Sequence, residues 1–130
     1  MNNQFLLNIA SVFIGGSIGS VLRYLSGFYL SNWFGTTFPW GTLFVNIVGS
    51  FVLGFVMSFA INKPNALDST TRLILTTGFC GGFTTFSSFA WETLSLYQKG
   101  DATLAIANLS SNLVFGFLAC FIGYVLGRMI

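Results

Sequence analysis

The run Gly78-Phe79-Cys80-Gly81-Gly82-Phe83-Thr84-Thr85-Phe86-Ser87-Ser88-Phe89 collects three kinds of group able to meet an ion. Its glycines loosen a helix and so free main-chain oxygens. Thr84, Thr85, Ser87 and Ser88 follow with hydroxyls that donate or accept. Phe83, Phe86 and Phe89 recur every three residues and can form one row. A phenyl ring is negative on its face and positive at its edge, so ring edges can touch an anion. Packing or lipid contact gives the same row in a chain with 16 phenylalanines, so the spacing alone leaves both readings open.

Other polar groups stand in apolar surroundings. Thr42 and Asn46 are four apart and share a helix face. Asn46 carries two N–H donors and an acceptor, and in lipid it needs a partner or water. A helix–helix hydrogen bond, worth about 0.6–2 kcal/mol, would satisfy it as well as an ion would. Asn108 and Asn112 form a second such stripe, beside Ser110 and Ser111, and two stripes favour a polar route. Arg23 interrupts an apolar run at a cost of roughly 2.5–3.5 kcal/mol. It either snorkels to the surface or acts as a positive group that gathers anions at a pore mouth. Glu92 follows the hydroxyl run closely; it could cap, pair with a base or line an entrance.

The elements that carry these groups must cross a membrane. The chain is 54% hydrophobic and 6% charged, where a soluble domain carries about 25% charged residues. Leu43–Ile61, Leu73–Trp91 and Ala102–Leu126 contain no charge, and about 20 apolar residues cross a bilayer core. Four spans are expected, at about 5–30, 41–62, 72–97 and 102–128, in one all-helical transmembrane domain. The third is expected to break near its middle, because irregular backbone survives in hydrocarbon only where protein or a water-filled cavity covers it. Met1-Asn2-Asn3-Gln4 lacks a basic leader, so the first span reads as a span and not a signal peptide. Trp33 and Trp40 suit the interface around a polar turn at Ser31–Trp40. The link Gln98–Asp101 is short enough to force a hairpin.

Several function classes fall away. The chain has no histidine, and Cys80 and Cys120 lie in separate apolar spans, so a Cys/His metal cluster is excluded and a disulfide is not expected. No nucleophile, base and orienter stand together, so the chain is not read as an enzyme. A net charge of +2, thinly scattered, gives nucleic acid nothing to bind. Lys63, Arg72 and Arg128 would face one side of the membrane and Lys99 the other, a weak bias that permits insertion both ways. Four short helices leave little room for a water path, so a transporter of this size should be oligomeric. Gly15/Gly19, Gly78/Gly82 and Gly123/Gly127 have the small-xxx-small spacing of tight helix contacts, within or between subunits.

Taken in order, Gly15-Gly16-Ser17-Ile18-Gly19-Ser20-Val21-Leu22-Arg23-Tyr24, Gly41-Thr42-Leu43-Phe44-Val45-Asn46-Ile47-Val48-Gly49-Ser50, the run Gly78–Phe89 and the hairpin into a polar-faced fourth span resemble the bacterial fluoride channel family, Fluc, also called CrcB. The likeness covers essentially the whole chain. It implies a fluoride-specific channel in the bacterial plasma (inner) membrane, through which fluoride leaves passively and fluoride toxicity is relieved. It implies an antiparallel, dual-topology homodimer with two pathways. A structural sodium ion would sit at the dimer interface on the main-chain carbonyls of Gly81 and Thr84. The fluoride path would use the ring edges of Phe86 and Phe89, with Asn46 as the pore asparagine, Thr42 as its upstream hydroxyl, Arg23 as the vestibule arginine, and Ser87, Ser88 and Asn112 along the track. Ser87-Ser88 stands where the family has a Ser-Thr pair. Asn108 and Asn112 stand where it often has an aromatic residue or serine. A small multidrug-type proton-coupled exporter also has four spans and dual topology, but it needs a membrane carboxylate in its first span, and none is present here. An assembly subunit without transport is the third class.

Overall fold

The structure is a computed structural model describing residues 2–130, and it is helical, with no strand among them. Helix α1 is Asn3–Phe34 and α2 is Trp40–Asn62. The third span is composite: α3 (Ser69–Leu73), a π-helical segment (Ile74–Cys80), α4 (Gly81–Phe83) and, after two extended residues, α5 (Phe86–Gln98). Helix α6 is Ala102–Met129. The four spans contain 32, 23, 30 and 28 residues, each long and apolar enough to cross a bilayer.

Local chemistry sets the ends. Asn2 caps α1 by accepting from the Gln4 N–H at 3.2 Å, and Gly35 ends it at φ +80°. Ser31–Phe34, whose polar character suggests a turn, continue α1 to that glycine. Asp68 Oδ2 accepts from the main-chain N–H groups of Thr70 and Thr71, so α3 starts in a well-capped turn. Gly100, at φ +89°, closes α5: its N–H donates to the Tyr97 carbonyl and the Asp101 N–H reaches the Leu96 carbonyl. That motif reverses the chain into α6.

Glycines decide which spans lie closest. Gly15 and Gly19 of α1 face the main chain of Gly78–Phe79 and Gly82–Phe83. A side chain at Gly15, Gly19 or Gly82 would strike main-chain atoms across the interface, and one at Gly78 would press tightly on them. The α1–third-span glycine pairs therefore work within one subunit. Gly123 and Gly127 of α6 sit in the same way against Phe51 and Phe55 of α2. Most large apolar side chains point outward, as lipid requires.

Candidate functional site

The third span breaks at Thr84–Thr85. Thr84 has φ −80° and ψ 160°, and Thr85 has φ −151° and ψ 120°. No proline is involved. Gly81 and Gly82 weaken the helix before the break, and Thr85 then caps the next one, its Oγ1 accepting from the Ser88 N–H at 3.2 Å. A residue from another helix completes it. In a continuous helix the Thr85 N–H would reach the Gly81 carbonyl; here it donates to Asn46 Oδ1 at 2.9 Å. Asn46 Nδ2 donates back to the Thr85 carbonyl at 3.2 Å, so one amide side chain grips both polar groups of one residue. The wide π-helical turns just upstream lie where such irregularities often mark function.

Most of the residues singled out from the sequence gather here. Asn46 Nδ2 also donates to Asn112 Oδ1 at 2.8 Å, joining the two polar stripes. Phe86 and Phe89 sit edge to face, with centroids 5.6 Å apart and planes at 64°. Their surroundings differ: Phe86 is 76% exposed and Phe89 only 6%. Phe83 turns away and stacks on Phe79 in the core. The Thr85 hydroxyl donates to Ser88 Oγ at 3.1 Å and lies 3.4 Å from Ser87 Oγ.

Arg23 lies deep. Its Nη1 donates to the Thr84 carbonyl at 3.0 Å, which places a positive group directly on the break. Thr42 stands apart from Asn46's partners, and its hydroxyl donates to Glu92 Oε1 at 2.8 Å. Glu92 Oε2 is buried with no hydrogen-bond partner. Gly81 and Thr84 both border an open cavity of about 1260 Å³, which also reaches Asn46, Phe86, Phe89 and Asn112. Among the described residues no group of three or more His, Cys, Asp or Glu could hold a metal, so a cation here would depend on main-chain oxygens.

Thr85 and Thr93 are absent from the sequence-based site. Thr85 is the hub of the break. The Thr93 hydroxyl accepts from Asn108 Nδ2 at 2.8 Å and donates to the Phe89 carbonyl at 2.8 Å. A signal for Thr85 exists in its residue type: threonine is a favoured N-cap, and it follows a glycine-weakened helix. Nothing in the sequence marks Thr93.

Charge in a dry interior is effective over short distances, so a guanidinium, released carbonyls, free hydroxyls and ring edges at one break suit the handling of a small ion. Comparison with known proteins points the same way. Relatives named "Fluoride-specific ion channel FluC" include one from Sulfurihydrogenibium sp., 49% identical over 90% of this chain and 94% of its own length. One from Agrobacterium fabrum is 46% identical over 95% and 98%, and one from Clostridium perfringens 42% over 98% of both. Residues 10–124 match the family described as "CrcB-like protein, Camphor Resistance (CrcB)", and this chain, with its glycine-weakened, asparagine-gripped third span, belongs to that CrcB family.

Proposed function

We propose that the protein is a fluoride-specific channel that lets fluoride leave the cell passively, as its relatives' shared name indicates, and that it is not an enzyme. The observation that carries the reading for this chain is the break itself. It brings Phe86 and Phe89, packed edge to face, together with Thr84, Thr85 and Asn46 around a cavity in an otherwise apolar bundle, with the Ser87 and Ser88 hydroxyls on the same turn. Fluoride is small and strongly hydrated. Leaving water demands hydrogen-bond donors and positive ring edges at close range. The Ser88 hydroxyl accepts from Thr85, so its own hydrogen remains for an anion. Asn46 and Asn112 stiffen the lining, and Arg23 supplies positive charge from behind the break. Thr42 and Glu92 form a further polar pair between α2 and α5.

The finer parts of the proposal concern assembly. Gly81, Phe86 and Ser87 are exposed on a subunit taken alone, and lipid does not tolerate uncovered irregular backbone. A second copy laid across the open cavity would cover them. The thin, scattered loop charge suits an antiparallel, dual-topology homodimer in the bacterial inner membrane.

A sodium ion at the interface fits the oxygens on offer. The Gly81 carbonyl is released because the Thr85 N–H has turned to Asn46, and Gly81 faces open space. The Thr84 carbonyl keeps a second lone pair beside Arg23. Two carbonyls are few for a hard cation, and a twofold partner would double them. Bound there, sodium would supply fixed positive charge and join the two breaks.

The test is a fluoride-selective electrode on liposomes loaded with fluoride and holding the purified protein. Fast fluoride efflux with chloride retained supports the reading. Silent liposomes, or proton-driven efflux of organic cations, would overturn it.

A further inference from the structure

The polar contacts around the break close into a ring. The Thr85 N–H donates to Asn46 Oδ1, and Asn46 Nδ2 donates to Asn112 Oδ1. Asn112 Nδ2 donates to the Asn108 main-chain oxygen at 3.0 Å and to Asn108 Oδ1 at 2.9 Å. Asn108 Nδ2 donates to Thr93 Oγ1, and the Thr93 hydroxyl donates to the Phe89 carbonyl. The path leaves at Thr85, the residue that caps α5, crosses α2 and α6, and returns to α5 at Thr93 and Phe89. It encloses the single turn that carries Phe86, Ser87, Ser88 and Phe89.

The direction of this chain is forced. An amide side chain can point either way, so its orientation must be set by fixed neighbours. The Thr85 N–H can only donate and the Phe89 carbonyl can only accept. The Asn108 main-chain oxygen, also acceptor-only, fixes Asn112 midway. Each amide between them therefore has one satisfactory orientation. Asn108 is 0% exposed and lines neither the cavity at the break nor the one between α5 and α6, so it acts on an ion there through its neighbours.

We propose that Asn108, anchored by Thr93, is a positioning residue for fluoride passage: its side chain adds a second hold on the Asn112 amide, which backs Asn46, and so stiffens the turn bearing Phe86 and Phe89. This rests on the fluoride-channel reading and adds a role for a residue that reaches the ion only through its neighbours. If the Thr93 acceptor is removed, Asn108 Nδ2 loses its partner and the side chain can turn over; Asn112 then keeps the Asn108 main-chain oxygen but loses Asn108 Oδ1, and the support it gives Asn46 behind the break loosens.

The test compares Thr93→Val, Thr93→Ser, Asn108→Leu and the double variant Thr93→Val/Asn108→Leu, each in liposomes with the fluoride electrode and each checked by size exclusion. Valine keeps the shape of threonine without its hydroxyl; serine keeps the hydroxyl. Fluoride efflux should fall about three- to tenfold in Thr93→Val, the factor one neutral hydrogen bond is worth. It should be restored to within about twofold in Thr93→Ser, since that bond is kept. The double variant should be no slower than Asn108→Leu, because both changes cut one chain. Equal rates for Val and Ser at position 93, or losses that multiply in the double variant, would overturn the proposal. Should Asn108→Leu fail to fold, the Val and Ser comparison decides alone. A silent wild-type protein would instead sink the channel reading.

Discussion

Replacing Asn46 by leucine, similar in size but unable to donate or accept, tests the break most directly. The side chain makes three hydrogen bonds: to the Thr85 N–H at 2.9 Å, to the Thr85 carbonyl at 3.2 Å and to Asn112 Oδ1 at 2.8 Å. Side-chain bonds between membrane helices average about 0.6 kcal/mol, so the last two together give about 1 kcal/mol. The Thr85 N–H belongs to a buried residue, and leaving it unpaired costs about 1–3 kcal/mol. The total of about 2–4 kcal/mol lowers the equilibrium constant favouring the native break roughly 30- to 700-fold, at tenfold per 1.4 kcal/mol. The chain can reduce that cost by turning the Thr85 N–H back to the Gly81 carbonyl, but this rewinds the helix and carries the hydroxyls and rings away from the cavity. Either route slows fluoride. The measurement is electrode-detected efflux from liposomes, with a size-exclusion profile confirming a folded protein. An Asn46→Leu channel running within threefold of wild type would refute the claim that this side chain holds the break.

Further expectations follow from the same contacts. Phe86→Ile should depress fluoride efflux strongly while leaving subunit folding intact, because that ring is 76% exposed; Phe89→Ala, at a site 6% exposed, should also cost about 3–5 kcal/mol of stability in a detergent unfolding assay. Gly19→Leu should separate α1 from the third span and abolish a monodisperse size-exclusion peak, since its side chain would meet the Phe79 and Phe83 main chain. The Thr71 hydroxyl, followed by the main-chain N–H groups of Thr71 and Thr70, holds the Asp68 carboxyl below its ordinary value of 3.8. A lowered folded-state value means the contribution is present above that ordinary value and is lost as pH falls through the folded one, so wild-type melting temperature should drop below about pH 3.8 and Asp68→Asn should flatten that drop. Replacing sodium with N-methylglucamine on both sides should lower the protein's melting temperature if Gly81 and Thr84 hold the ion; an unchanged value removes it from those carbonyls.

Much of this protein is written in one dimension. Four apolar stretches between polar links fix four spans, because the bilayer demands length and hydropathy and little else. Gly81-Gly82 ahead of a hydroxyl run marks where the third span is weakest, since glycine's effect on a helix is local. Asn46, Arg23, Phe86 and Phe89 stand out because each is costly or unusual in lipid, or regular in spacing. Family likeness adds the ion, which the residue types alone leave open.

What spacing does not contain is the identity of partners. Asn46 grips Thr85 across 39 residues, Arg23 reaches Thr84 across 61, and Thr42 meets Glu92 across 50. Such pairings depend on the rotation and depth of whole helices, and those are set by glycine contacts such as Gly19 on Phe83 and Gly123 on Phe51. The π-helical stretch at Ile74–Cys80 and the part played by Thr93 emerge only with that packing. A hydrogen bond falls off within fractions of an ångström and a few tens of degrees. Sequence gives each helix its list of polar groups; only the packed bundle sets which of them come within that range.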